Sequence, residues 1–258
     1  MSPQEQELLL SSLDSFLDQN LISQVLEVVR GGKEATVFRC RAAHRAAARD
    51  PAGEFYAAKV YRPSTRRSFR NDAVYRDGRV ITNARVRRAL ANHSDFGRTV
   101  AQHLWTAAEY ETQQILHRAA VSVPRPIASN GSAILMEWIG DASDSAPQLR
   151  HAQLTPQEAQ AALRALLHDV ETMLDKHRIH GDLSPFNVLY WQGRPRVIDF
   201  PQAVDARMNG NAYGLLCRDV ENVCRFFERQ DVPTPDPWKW ATRLWDRYVN
   251  GQLGYDAP

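Results

Sequence analysis

His180-Gly181-Asp182-Leu183-Ser184-Pro185-Phe186-Asn187, followed by Val197-Ile198-Asp199, decides how the rest of the chain is read. The stretch sets out an acid, an amide five residues later, and a second acid at the end of a β-prone run. Phosphoryl-transfer enzymes hold magnesium against a triphosphate with this set of side chains. Asp182 can accept the proton of an incoming hydroxyl. Asn187 offers a neutral carbonyl oxygen and Asp199 a carboxylate, both hard ligands suited to Mg2+, and the amide keeps the site from being over-charged. A lone Asp or Asn in a loop usually caps a turn. The chemistry therefore rests on the three together.

Towards the N-terminus, such a site needs a cation for the phosphates, and Lys59 lies in the β-prone run Tyr56-Ala57-Ala58-Lys59-Val60. There its ammonium would neutralise the α- and β-phosphates, and the small alanines leave room for adenine. Gly31-Gly32-Lys33-Glu34-Ala35-Thr36-Val37 would lay backbone N–H groups over the phosphates, although it lacks the third glycine of the usual kinase loop. Lys59 needs a pairing acid. Glu109 is the first choice, because it sits on the first strongly helical element after the lysine strand, and Glu111 is its competitor. Ala133 to Ile139 reads as a strand, with Met136 behind the adenine and main-chain groups of Glu137 to Ile139 along its edge. ATP and Mg2+ are the expected cofactors.

The remaining pattern supplies the frame. Apolar Leu8, Leu9, Leu13, Phe16, Leu17 and Leu21 make residues 6 to 29 read as one helical face, passing into β-prone Val25 to Val29 and Ala35 to Arg41. Phe55 to Tyr61 is a further strand. Residues 62 to 100 carry arginines from Arg62 to Arg98 against Asp72, Asp77 and Asp95, with little apolar periodicity, and read as an insertion with some helix. Leu104 to Ala119 is helical until Pro124 and Pro126 stop it. A polar hinge from Asp141 to Pro147 precedes a helix that Thr155 and Pro156 start and that runs to about Lys176. Ile179 to Asn187 is loop, Val188 to Tyr190 and Arg196 to Ile198 are short strands around Gln192-Gly193, and Arg218 to Phe227 and Trp238 to Val249 are helices. Hydrophobic residues at 43% and charged residues at 24% exclude a disordered or fibrous chain. A net charge of +2 excludes a globally basic nucleic-acid binder. Cys40, Cys217 and Cys224 leave an odd thiol in any pairing and read as core packing. With no leader pattern and no apolar run that could span a bilayer, a reducing cytoplasm and no membrane are expected.

These blocks resemble the RIO family of atypical serine/threonine protein kinases. The resemblance is carried by Gly32-Lys33-Glu34-Ala35-x-Val37-Phe38, Ala58-Lys59-Val60-Tyr61, Met136-Glu137-x-Ile139-Gly140, the octet from His180, Val197 to Ala203, and Arg218-Asp219-Val220 with Phe226-Phe227. It implies an α+β, two-lobed protein-kinase-like fold, with an antiparallel sheet plus helix in the N-lobe and a reduced, mostly helical C-lobe. The implied division is an N-terminal helical extension over 1–24, an N-lobe over 25–140 with the basic insertion at about 62–100, and a C-lobe over 141–258. The Trp105-to-Glu109 spacing also resembles the family and favours Glu109 over Glu111. By resemblance, Lys59, Glu109 and Asp182 are catalytic and Asn187 and Asp199 hold metal. Gly31, Gly32, Lys33, Glu34, Ala35, Val37, Lys59, Met136, Glu137 and Ile139 then hold the nucleotide. The insertion would be the family's flexible loop, which often covers the nucleotide. Serine/threonine autophosphorylation is implied too, as is ATPase turnover with a phospho-intermediate at Asp199. A protein substrate, the chain itself included, is implied, and so is a ribosomal particle or RNA contact through the basic insertion, by phosphate neutralisation. The N-terminus looks too short for the winged-helix domain of one subfamily, whereas Asp199-Phe200-Pro201-Gln202 is closer to that subfamily, so the subfamily stays open.

No Ala-Pro-Glu tripeptide follows Asp199, so the activation segment and peptide platform of ordinary protein kinases are not expected. Small-molecule phosphotransferases of the aminoglycoside or choline kinase type also carry His-Gly-Asp-x-x-x-x-Asn and a later Asp. The Gly-Lys-Glu-Ala turn and the arginine-rich insertion argue against them. A catalytically dead nucleotide-binding module is disfavoured because every expected catalytic position is filled.

Overall fold

Apolar spacing of three and four starts the chain as helix, and the helix stops sooner than that spacing predicts. The computed structural model describes residues 3–32, 34–44, 53–62 and 95–253. Helices α1 (Pro3–Ser11) and α2 (Asp14–Asp18) bury Leu9, Leu13 and Phe16, and the expected run to residue 29 ends there. Asn20 turns into the left-handed region at φ 53°, which Asn tolerates better than most residues. From Ile22 the β-branched residues pair as a strand. Strands β1 (Ile22–Gly31), β2 (Ala35–Ala42), β3 (Phe55–Tyr61), β4 (Pro126–Ser129) and β5 (Ala133–Glu137) form an antiparallel sheet in the order β1-β2-β3-β5-β4.

Period-two alternation gives this sheet two different faces. On one, Phe38, Cys40, Tyr56, Ala58, Val60 and Leu135 pack with Leu9, Leu13, Phe16 and Ile22 into a core. The other carries the cross-strand rows Ala35–Tyr61, Val37–Lys59–Ile134 and Ala57–Met136. Helix α3 (Asp95–Arg118) begins inside the stretch read as insertion and supplies its residues up to Glu111 to this first compact unit, which also takes in Arg125–Ser145.

The second compact unit comprises Thr112–Pro124 and the chain from Ala146 onward. Helix α4 (Pro156–Asp175) starts on a reciprocal cap, with the Thr155 side chain accepting from Glu158 N and Glu158 reaching back to Thr155 N. Its apolar face, Ala159, Leu163, Leu166, Val170 and Leu174, meets α5 (Ala212–Glu228), whose Leu216, Val220, Val223 and Phe227 are buried. Helix α6 (Pro237–Val249) packs on that pair. Two small antiparallel pairs sit on the helices: β6 (Arg178–Ile179) with β9 (Val204–Asp205), and β7 (Val188–Trp191) with β8 (Arg194–Val197). Gln192 and Gly193, at φ 49° and 77°, make the β7–β8 turn in the conformation that fits strand twist. All three cysteines are free and buried. The α+β class with a sheet-plus-helix unit and a mostly helical unit is the one the sequence predicts. Among the described residues no helix is long and apolar enough to cross a membrane.

Candidate active site

In the first unit, β3 presents Lys59 and Tyr61 on the same face, because they stand two residues apart. Helix α3 brings Glu109 to both. Lys59 Nζ donates to Glu109 Oε1 at 2.6 Å, and the Tyr61 hydroxyl donates to Glu109 Oε2. Lys59, Tyr61 and Glu109 are all buried, whereas Glu111 is exposed. A buried charge persists when it is paired and hydrogen-bonded, which this arrangement achieves for both the ammonium and the carboxylate.

Beside the pair, the face that carries Lys59 also carries Ala35, Val37 and Met136. The turn between β1 and β2 is tight. Gly32 N donates to Ala35 O at 2.8 Å, and a Cβ on Gly32 would meet that oxygen at 3.1 Å, a tight contact that favours glycine in the turn. The Gly32 N–H expected over the phosphates is therefore already bonded within the turn. Glu34 O accepts from Arg62 N. Lys33 and residues 63–94 of the basic insertion lie outside the described residues. Glu137 donates its N–H to Arg125 O and accepts from Arg125 N through its carboxylate.

In the second unit, buried Leu183, Val188, Val197 and Phe200 anchor a loop whose Asp182 and Asp199 side chains are exposed. Asn187 Nδ2 donates to the Asp182 main-chain oxygen at 2.9 Å and to its Oδ2 at 3.3 Å. Ile198 N in turn donates to Asn187 O, tying the octet to the residue before Asp199. Asp199 adopts φ 73°, a left-handed conformation that aims its side chain differently from the strand before it. His180, buried against Phe200, braces the loop from below: its Nδ1 accepts from Asp182 N and its Nε2 bonds Ile198 O, a pattern satisfied by the neutral ring.

Two residues that no site assignment from the sequence included complete this frame. Asp219, buried on α5, accepts from Gly181 N at 2.7 Å and Leu183 N at 2.9 Å, and so grips the loop on both sides of Asp182. Burial pushes its carboxyl up to about 7, against the pull of those two N–H donors. Arg218 donates to Gly181 O. An acid inside the apolar stripe of a helix was the available signal for Asp219, and Tyr61 stood in the quoted Ala-Lys-Val-Tyr block.

The family model described as RIO domain matches residues 37–239. Serine/threonine-protein kinase RIO1 of Chaetomium thermophilum is 29% identical over 232 residues, covering 85% of this chain and 42% of that protein. RIO-type serine/threonine-protein kinase Rio1 of Methanocaldococcus jannaschii is 28% identical over 241 residues, covering 90% of this chain and 73% of that protein. The chain thus spans well under half of the first relative and most of the second. The solved complex of Rio2 kinase with ADP/Mg2+ and phosphoaspartate, from Chaetomium thermophilum, matches with a TM-score of 0.61 at 25% identity over 93% of this chain and 69% of that one. Since the matched span, residues 37 to 239, takes in residues of both units, the resemblance read from the motifs becomes membership: the chain belongs to the RIO domain family.

Proposed function

We propose that the chain is an ATP-dependent atypical serine/threonine protein kinase that transfers the γ-phosphate of Mg-ATP to itself or to a protein substrate and also turns ATP over as an ATPase. One observation carries the reading. The Asn187 amide nitrogen is bonded to Asp182 while its main chain accepts from Ile198, so acid, amide and second acid belong to one hydrogen-bonded loop. The Asn187 carbonyl oxygen and the Asp199 carboxylate are the hard donors Mg2+ takes, and Mg2+ completes its shell with waters and phosphates rather than a protein cage. Bound there, it would neutralise charge on the triphosphate.

This chain's own residues do the remainder. Lys59, held by Glu109, neutralises the α- and β-phosphates, and Asp182 accepts the proton of the acceptor hydroxyl. Ala35, Val37, Met136, the Glu137 carbonyl and Ile139 contact the base, with Gly31, Gly32, Lys33 and Glu34 near the phosphates. The names of the relatives support a serine/threonine acceptor, and the ADP, Mg2+ and phosphoaspartate of the Rio2 kinase complex support both the cofactors and ATPase turnover through Asp199. In that turnover a carboxylate oxygen takes the γ-phosphoryl group, ADP leaves, and water releases phosphate. The lobes are proposed as 25–140 and 141–258, preceded by an extension over 1–24, although β1 already begins at Ile22. Action in the cytoplasm and an RNA contact through the basic insertion belong to the same proposal.

The test is incubation with γ-labelled ATP and Mg2+, alone and with a panel of aminoglycosides and amino alcohols. Label on serine or threonine of the protein, with labelled phosphate released, is expected. Label appearing only on a small molecule would overturn the reading.

A further inference from the structure

The ion pair at the centre of the first unit has a third member. Tyr61 follows Lys59 by two residues on β3, so both side chains leave the same face of the sheet. Glu109 accepts from both, Lys59 Nζ on Oε1 at 2.6 Å and the Tyr61 hydroxyl on Oε2. The Lys59 ammonium also lies 5.2 Å from the centre of the Tyr61 ring, within the range where the ring face attracts a cation. The phenol is held in place by its own main chain: Tyr61 N donates to Ser132 O at 3.0 Å, and Gln102 Nε2 donates to Tyr61 O at 3.3 Å. Relative exposures of 3%, 4% and 8% for Tyr61, Glu109 and Lys59 leave little water to replace any of these bonds.

A buried carboxylate with one free oxygen would turn to offer both oxygens to the nearest ammonium. Lys59 has three N–H donors. A Glu109 that chelated it would draw it away from a ligand, whereas a Glu109 whose Oε2 accepts from Tyr61 meets it at Oε1. We propose that Tyr61 is a positioning residue that fixes the Lys59–Glu109 pair in its phosphate-binding arrangement, an inference that rests on the reading of Lys59 under Proposed function. Its effect passes through Glu109 and is confined to the phosphates.

The experiment measures affinity for a non-hydrolysable ATP analogue and for adenosine by calorimetry, and kcat/KM for ATP, in wild type, Tyr61→Phe, Glu109→Gln, the double variant and Lys59→Ala. Loss of a hydrogen bond to a charged group is expected to weaken analogue binding and kcat/KM in Tyr61→Phe about tenfold. Adenosine affinity should stay as in wild type, and Tyr61→Phe should add nothing once Glu109 is Gln. Should Tyr61→Phe lose cooperative melting, Tyr61→Met, which fills the space flexibly and also lacks the hydroxyl, is read in the same way. Wild-type analogue affinity in Tyr61→Phe beside a clear loss in Lys59→Ala overturns the role of Tyr61 and leaves the site standing. Wild-type affinity in both overturns the reading of Lys59 itself. Equal losses for analogue and adenosine, or a full loss persisting in the Glu109→Gln background, also overturn the inference, because they mark a general loosening.

Discussion

Asp182 and Asp199 are both exposed carboxylates, yet their surroundings divide the work between them. Asp182 receives Asn187 on its main-chain and side-chain oxygens, which fixes its orientation, while Asp199 stands in the left-handed region at the end of a strand. A base acts mainly as the proton moves, whereas a metal ligand stabilises ground and transition states alike. Asp182→Asn is therefore expected to lower kcat with Mg-ATP affinity little changed, and Asp199→Asn to weaken Mg-ATP binding as well. Titration of a fluorescent ATP analogue at several magnesium concentrations decides this. The opposite pattern would reverse the roles. Asp219→Ala leaves the Gly181 and Leu183 N–H groups without their acceptor and is expected to cost about 1–3 kcal/mol of stability, read by denaturant unfolding. Asp182 and Asn187 of the octet, and Asp199 after the next β-prone run, were legible because their spacing is local. The grip of Asp219 and the phenol of Tyr61 were not, since their partners stand 36 to 48 residues away and only the folded chain brings them together.

At the scale of elements, two helices of the second unit each carry a buried acid. Burial raises Asp169 on α4 from 3.8 to about 6 and Asp219 on α5 to about 7. The folded protein thus holds protons that the unfolded chain has released. The stability they contribute is fully present below about pH 4 and is lost as the pH rises through those two values. Asp169 Oδ1 accepts from Ser122 N while its Oδ2 has no partner among the described residues, so an amide can replace the acid without breaking that bond. Asp169→Asn should remove a pH-dependent loss of the order of 3 kcal/mol and match or exceed wild type at pH 8. Melting curves from pH 4 to 8 check it, and parallel curves for the two proteins would refute it. Local signals located most elements well: Thr155-Pro156 marked the start of α4, and Gln192-Gly193 the β7–β8 turn. Helical spacing carried past Leu21 misled, because pairing with β2 begins at Ile22, whereas the β-prone reading of Val25 to Val29 falls within β1. The two-residue strands β6 and β9 were invisible, since a pair that short is defined by its partner and not by its own pattern.

For the molecule as a whole, the resemblance to the RIO family implied the α+β class, and the β-prone runs gathered in the first half with amphipathic helices in the second agree with it. Each unit has its own core. The central claim is that this chain moves the γ-phosphate of Mg-ATP onto serine or threonine with Lys59, Asp182 and Asp199. The most direct test is the rate at which γ-labelled ATP labels the protein, in wild type beside Lys59→Ala, Asp182→Asn and Asp199→Asn at matched melting temperature. Wild type should take acid-stable label on serine or threonine, and each variant should fall by about a hundredfold or more, the scale of lost electrostatic and acid–base catalysis. Near-wild-type labelling in any of the three variants, or a wild type that neither takes label nor releases ADP, would contradict the account.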